Sequence, residues 1–318
     1  MGTGWNSCIR CGRFVFAVLL ALLPLTSVSH AQSNAWDIAV LDKILANVPP
    51  GQSVAQVGDM FISVPVLQAC RNQHAGEPPP PSAFDGTFHA WTTGTVFYAF
   101  SNNVSVAHQK AFLDGMNEWA MFANLHYVAR TAQSNYVTIV DGGVSQEGGD
   151  SNVGMIGGQQ FIQIGSTSWN RPTVCHEFGH TLGLIHEQSR SNRDSFVTIL
   201  TNNIIPGQEG NFVKLPNSLN ETPYDFLSIM HYSRNALSIS NNLDTIEPLT
   251  NFLQYINIMG QLADPVLSAS DRAGMALVYG APMTPVTNIV INTQDSGLGS
   301  LRAAMYFAFD QSGHDNSV

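Results

Sequence analysis

His176-Glu177-Phe178-Gly179-His180-Thr181-Leu182-Gly183-Leu184-Ile185-His186-Glu187, or HEFGHTLGLIHE, is the stretch on which the reading of this chain turns. Four residues of α-helix rotate the chain by roughly 400°, so His176 and His180 share one face with Cβ atoms about 5–6 Å apart, close enough to bind a single metal ion. Glu177 lies beside that face. In a continued helix His186 would be turned from His180 by roughly 240° and would point away. Gly183 lifts that restriction: glycine adopts the left-handed conformation that ends helices, so the chain can double back and offer His186 as a third ligand.

Three neutral imidazoles with an open fourth position describe a catalytic zinc site rather than a structural one. A single catalytic Zn2+ lowers the pKa of its water toward neutrality, and Glu177 is placed to take that proton and pass it to the leaving amine while the metal polarises the scissile carbonyl. The expected activity is hydrolysis of peptide bonds by a Glu177-assisted, zinc-bound water, with proteins or peptides as substrates.

The string HExxHxxGxxH resembles the metzincin clan of zinc peptidases, and the Glu187 that follows resembles its astacin family. Residues 228–233, SIMHYS, are similar to the astacin Met-turn. The resemblance implies that Met230 forms an apolar floor under the metal. It implies that Tyr232 is an additional zinc ligand that leaves the metal when substrate binds and donates its hydroxyl to the oxyanion. It gives Glu187 a structural role near the mature N-terminus, and His231 is read as structural. The likeness runs from about Trp91 to Tyr279 and includes GMIGGQQ at 154–160, RSNRD at 190–194 and YDF at 224–226. It implies an α+β, metzincin-type catalytic domain over 84–281, with a twisted mixed sheet, helices and a zinc cleft between two lobes. Animal astacins usually carry two disulfides there; this chain departs from that pattern, which favours a bacterial-type relative. Two other readings stay open: a catalytically silent zinc or adhesion module, which would need neither Glu177 nor Tyr232, and another metzincin such as a matrixin, against which Glu187 and SIMHYS speak. No GGxGxD repeats occur, which argues against the serralysin branch.

Composition narrows the partners. There are 13 basic and 23 acidic residues, a net charge of −10, which makes the chain a poor nucleic-acid binder. Hydrophobic residues make up 44%, ample for a core, while charged residues are only 11%, so neutral polar side chains cover much of the surface. Oligomeric state is not legible.

Arg10 and Arg13 precede an apolar run, Phe14–Leu23, and then Ser29-His30-Ala31. This pattern reads as a signal peptide over 1–31, too short to span a bilayer, so secretion is expected with no transmembrane anchor left after cleavage. Cys8 and Cys11 would leave with it. Residues 32–83 read as the propeptide of a zymogen, ending in the stiff spacer EPPPPS at 77–82. Within it Gln56-Val57-Gly58-Asp59 resembles the FxGD segment of pro-astacins, whose aspartate ligates the zinc in place of water, although Gln56 stands where phenylalanine is expected. Asp59 is therefore one possible latency switch. A Cys70 thiolate on the zinc is another, and a Cys70–Cys175 disulfide is a third role for that cysteine.

Patterning predicts strands at Thr95–Phe100, Leu125–Arg130, Asn135–Val140 and Gln159–Ile164, a helix over Ser105–Ala123, a long glycine-rich loop from Asp141 to Gly158, little regular structure after the zinc motif, and a helix over Ser268–Tyr279 stopped by Gly280. Residues 282–318 form a tail whose TQDSGLGSLR, at 293–302, resembles the opening cap of a right-handed parallel β-helix, truncated before any repeat. Arg234 is a candidate for a pocket favouring acidic side chains, with a solvated surface role as the alternative.

Overall fold

Burial alternates along Val54–Val57 and Met60–Ser63, on either side of a Gly58-Asp59 turn, and these segments fold as a hairpin, β1 and β2. The hairpin follows helix α1 (Leu25–Ala46) and leads directly into α2 (Val64–Ala75). The computed structural model describes residues 25–77, 89–216, 222–260 and 266–283, with a few positions between 300 and 305. The segment 1–24, the proline spacer at 78–82 and the tail at 284–299 lie outside the described residues.

The four patterned strands form close to their expected places, as β3 (Thr95–Phe100), β4 (His126–Ala129), β5 (Tyr136–Asp141) and, after a further strand β6 (Gly149–Asn152), β7 (Gln159–Ile164). Helix α3 (Val106–Ala120) begins at Ser105, whose side chain accepts from His108 N, and the zinc-motif helix α4 spans Arg171–Thr181. The first seven strands make one mixed sheet in the order β1-β2-β6-β7-β5-β3-β4. β4, β3, β5 and β7 run parallel, β6 is antiparallel to β7, and β2 adds to the outer edge of β6 in parallel through Met60↔Ser151 and Phe61↔Asn152.

Strand β6 corrects the loop expected over 141–158. Gly-Asp-Ser-Asn has neither alternation nor strand propensity, and it is extended because β7 on one side and β2 on the other satisfy its backbone. After α4 regular structure is sparse, as expected. A small antiparallel pair, β8 (Val197–Ile199) and β9 (Ile246–Pro248), joins several short 3-10 turns before α5 (Ala269–Tyr279).

Among the described residues, three apolar clusters organise the fold. The first lies between the sheet and α3, α4 and α5, with Val96, Phe112, Trp119, Ile139, Phe178 and Met275 fully buried. Truncating aromatic side chains of this kind costs roughly 3–5 kcal/mol each. The second joins Val40, Leu41, Ile62 and Leu67 of the N-terminal segment to Val153, Val213 and Leu215 of the rest. The third, around Phe212, Tyr224, Phe226 and Ile246, is the core of the lobe that follows α4. The zinc motif lies where the first and third clusters meet. Residues before 78 are thus more than a spacer. Asp37 of α1, fully buried, accepts from Lys214 N at 2.9 Å, and His74 Nε2 of α2 lies 2.8 Å from Lys214 O, so polar contacts reinforce the apolar docking. Helix α1 also runs unbroken through the expected cleavage point after Ala31.

The cysteine alternatives are corrected. Cys70 and Cys175 are not bridged; both are buried thiols. Cys70 faces the second cluster among Val40, Leu67 and Val66 and is outside the metal-ligand group, so it is no candidate for a thiolate switch.

Helix α5 starts with a reciprocal capping box: Ser268 Oγ accepts from Asp271 N at 3.0 Å, and Asp271 Oδ2 accepts from Ser268 N at 3.0 Å. Ser268→Ala is expected to destabilise the fold by about 1–2 kcal/mol, read as a lowered denaturant midpoint with an unchanged m-value.

Candidate metal centre and active site

Asn170 caps α4 by accepting from Thr173 N at 3.0 Å, and Pro172 in the first turn suits a position with no hydrogen bond to give. The helix ends at Leu182, where Gly183, with φ at 108°, turns the chain back. Leu184 N donates to Gly179 O at 3.0 Å, and the reversed strand carries His186 to the same side as His176 and His180. His176 and His180 are oriented through their outer nitrogens. His176 Nδ1 pairs with Ile229 O and His180 Nδ1 with Leu184 O, each at 2.8 Å, which turns both Nε2 atoms inward.

Asp59 completes the group. Its carboxylate stands 3.3 Å from His176 Nε2, 3.1 Å from His186 Nε2 and 3.8 Å from His180 Nε2, and His176 Nε2 is 3.4 Å from His186 Nε2. The four ligand atoms all lie within 4.8 Å of one another. A tetrahedral zinc with bonds of about 2.0–2.1 Å would separate its ligand atoms by roughly 3.3–3.4 Å, and the contacts of 3.1–3.8 Å bracket that spacing. His180 Nε2 and Asp59 Oδ1 are buried with no hydrogen-bond partner, as expected of lone pairs that await a cation. The residues present therefore fit zinc.

Electrostatics agree. Burial and the two neighbouring imidazoles hold His180 well below the usual histidine range, keeping it in the neutral form a metal requires. Burial alone would raise the Asp59 carboxyl, but His186, His176 and His180 pull it well below the carboxylate range.

Glu177 is only 2% exposed and lies against β6, where a Cβ on Gly149 would come within 2.6 Å of its side chain. Burial first, then Asp59 and Asp150, push its carboxyl well above the usual range, and its Oε2 has no hydrogen-bond partner among the described residues. Met230 is buried with its sulfur 3.0 Å from where a Cβ on Gly179 would stand, so it packs under α4 between the first two histidines. Glu187 accepts from Arg190 Nη1 at 2.7 Å and Asp225 N at 2.8 Å and so ties the chain after the third histidine to the segment that precedes the Met-turn. Tyr232 sets its ring 4.4 Å from that of His186, tilted by 51°, but its hydroxyl donates to Asn211 Oδ1 at 2.9 Å instead of joining the four donors. Arg234 makes a two-pronged pair with Asp244, at 2.7 and 2.6 Å, and a third bond to Asn257, so within the surface pocket these three residues line its charge is already engaged.

Sequence reasoning missed several contributors. Ile229 and Leu184 act through backbone carbonyls, which leave no trace in residue type. Asp271 receives Ser228 Oγ at 2.6 Å and Ile229 N at 3.0 Å, pinning the Met-turn to α5. Asp150 on β6, pushed up to about 6 by burial and by Asp59, and Asn211 carried no motif at all.

Comparison with known proteins decides the family. The family profile described as Astacin, a peptidase family, matches residues 85–280. The chain belongs to the astacin family. It is thus a zinc metallopeptidase domain with the mixed α+β fold of that family. It is 37% identical over 208 residues to human Tolloid-like protein 1, covering 64% of this chain and 20% of the relative. It is 39% identical over 197 residues to Bone morphogenetic protein 1 of Xenopus laevis, covering 60% of this chain and 27% of the relative. The chain therefore spans only a fifth to about a quarter of these relatives. Among solved structures, High choriolytic enzyme 1, a hatching-enzyme zinc-protease of the medaka Oryzias latipes, superposes with a TM-score of 0.54 at 31% identity over 61% of this chain and 94% of that one. Among the described residues no helix is long and apolar enough to cross a membrane.

His231, beside Tyr232, is held neutral: its Nε2 meets Tyr224 Oη at 2.9 Å and its Nδ1 meets Tyr232 O at 2.6 Å, while burial above all, and then His186, lower it from 6.5 to about 4. The unfolded chain takes up this proton near pH 6.5, the folded chain only near 4. The contribution is full above about pH 6.5 and lost as pH falls toward 4, at up to about 1.4 kcal/mol per pH unit. The stability gap between wild type and His231→Phe, measured by denaturant unfolding of the metal-loaded proteins, is expected to narrow from pH 7 to pH 5.

Proposed function

We propose that this chain is a secreted, zinc-dependent endopeptidase made as a latent precursor, in which Glu177 moves the proton, Tyr232 stabilises the oxyanion and Asp59 blocks the site. The observation that carries the reading is the convergence of His176, His180, His186 and Asp59 on one point beside the buried Glu177 carboxylate. Zinc held there would supply Lewis-acid polarisation of a carbonyl and acidify a water molecule.

The chain's own groups account for the rest. The raised affinity of Glu177 for a proton, caused by burial and by neighbouring carboxylates, suits a base that takes a proton from the attacking water and returns it to the departing amine. Release of Asp59 from its place would remove one of those carboxylates and admit the water. The Tyr232 hydroxyl is kept protonated by burial and by Asp59 and Glu177, so it can donate to an oxygen that gains negative charge. Met230 and the Ile229 carbonyl hold the histidines in place beneath. A silent zinc or adhesion module would have no use for an acid kept buried and unpartnered, a costly arrangement.

The latency reading is supported by the N-terminal segment. β2 covers the outer edge of β6, and the turn before it places Asp59 among the imidazoles. A carboxylate tethered on a short linker competes well with water, because its effective concentration is on the order of millimolar. Export is supported by the basic-apolar-small pattern of residues 1–31, and proteins or peptides outside the cell would be the substrates.

Glu177→Gln is expected to retain stoichiometric zinc and to lose nearly all turnover of a fluorogenic peptide mixture in the processed enzyme. Activity near wild type in that variant would refute the assigned role. Asp59→Ala is expected to raise the peptidase activity of the unprocessed chain toward that of the processed one, while Cys70→Ala leaves latency intact. Full activity of the unprocessed wild type would instead make residues 32–83 a structural part of the enzyme.

A further inference from the structure

The Tyr232 hydroxyl has a dedicated partner. Asn211 sits in the 3-10 turn Glu209–Phe212 and is 4% exposed. Both protons of its amide are directed at Gln208, with Nδ2 donating to Gln208 O at 3.1 Å and to Gln208 Oε1 at 3.0 Å. That fixes the amide orientation and leaves Oδ1 as the acceptor for Tyr232 Oη at 2.9 Å. The other side of the same oxygen is closed by the N-terminal hairpin. Gly58, at φ 71°, comes so near that a Cβ there would stand 2.1 Å from Asn211 Oδ1. The backbone of the turn that carries Asp59 into the metal site is therefore also the wall behind Asn211.

We propose that Asn211 is the positioning residue that parks Tyr232 away from the metal site, and that the Gly58-Asp59 turn locks Asn211 in that role until residues 32–83 are removed. One turn then governs two groups: Asp59 fills the position needed by water, and Gly58 immobilises the acceptor that holds the oxyanion donor. With the turn gone, the Asn211 amide loses its wall and Tyr232 can exchange one neutral hydrogen bond for another partner. Such a bond shifts an equilibrium by roughly 2- to 10-fold, enough to bias the tyrosine and small enough to be reversed. The proposal rests on the latency reading of residues 32–83 and on Tyr232 as oxyanion donor.

The test uses the full chain carrying Asp59→Ala, which opens the position that Asp59 fills, loaded with Cu(II). A visible phenolate-to-copper charge-transfer band reports Tyr232 on the metal, and Tyr232→Phe assigns it. Asn211→Leu, close in size but without an acceptor, is expected to raise the ratio of metal-bound to parked tyrosine by roughly 2- to 10-fold. Asn211→Asp, which keeps an acceptor oxygen at that place, returns it toward the starting value. Gly58→Ala gives a second route that leaves residues 84–281 untouched: the added Cβ displaces the Asn211 oxygen, and the band is expected to rise in the full chain. A band absent throughout, unmoved by Asn211→Leu or Gly58→Ala, or raised as much by Asn211→Asp as by Asn211→Leu, overturns the proposal. Peptidase activity of the processed wild type is followed in parallel. Its absence would refute the peptidase reading without touching the copper comparison, whereas normal activity with an unmoved band would refute only the assignment of Asn211.

Discussion

Three imidazole nitrogens and a carboxylate oxygen crowd within 4.8 Å of one another in a largely buried cleft, a set of lone pairs that a cation alone can share. Much of the architecture serves to keep them there. The rings of His176 and His180 are aimed by the carbonyls of Ile229 and Leu184. Ile229 is in turn fixed by Asp271, which caps α5. A carboxylate at the start of the last described helix thus sets the tilt of an imidazole on α4, through one backbone carbonyl. Disturbing that chain of contacts would shift the ligand before it changed the core, because every link is a directional bond.

The N-terminal segment is bound to the same machinery by two independent means. Apolar burial attaches α1, α2 and the hairpin to Val153, Val213 and Leu215. Backbone pairing then extends the sheet from β6 to β2, so the segment occupies the strand edge next to Glu177 as well as the fourth position beside the histidines. An extended peptide that added to that edge and the β2 strand would exclude each other. Burial supplies the attachment, and pairing supplies the register that brings Asp59, one residue before Met60↔Ser151, level with the metal site.

Family membership, the ligand helix and the strand order have different origins. Repeats of 2 and of 3.6 are local, so β3, β5, β7, α3 and α5 were legible, and the spacing of His176, His180, Gly183 and His186 specified a metal face followed by a reversal. β6 was illegible because Gly-Asp-Ser-Asn has no pattern of its own and is extended only by its neighbours. β8 and β9 were illegible because each is three residues long and they pair across nearly fifty residues of irregular chain.

The sequence by itself determined the astacin motif, the ligand histidines, the acid beside them and most of the sheet, since those properties depend on residues within a turn or two of each other. Tertiary structure alone decided which of the two candidate switches stands among the three imidazoles. Asp59 and Cys70 are eleven positions apart, yet the hairpin carries one into the cleft while α2 buries the other in an apolar cluster. It also decided that Arg234 is neutralised by Asp244 and that Tyr232 rests on Asn211. Each of these outcomes depends on where separate elements dock. Docking is governed by the summed burial of many side chains, and no short stretch of sequence encodes it.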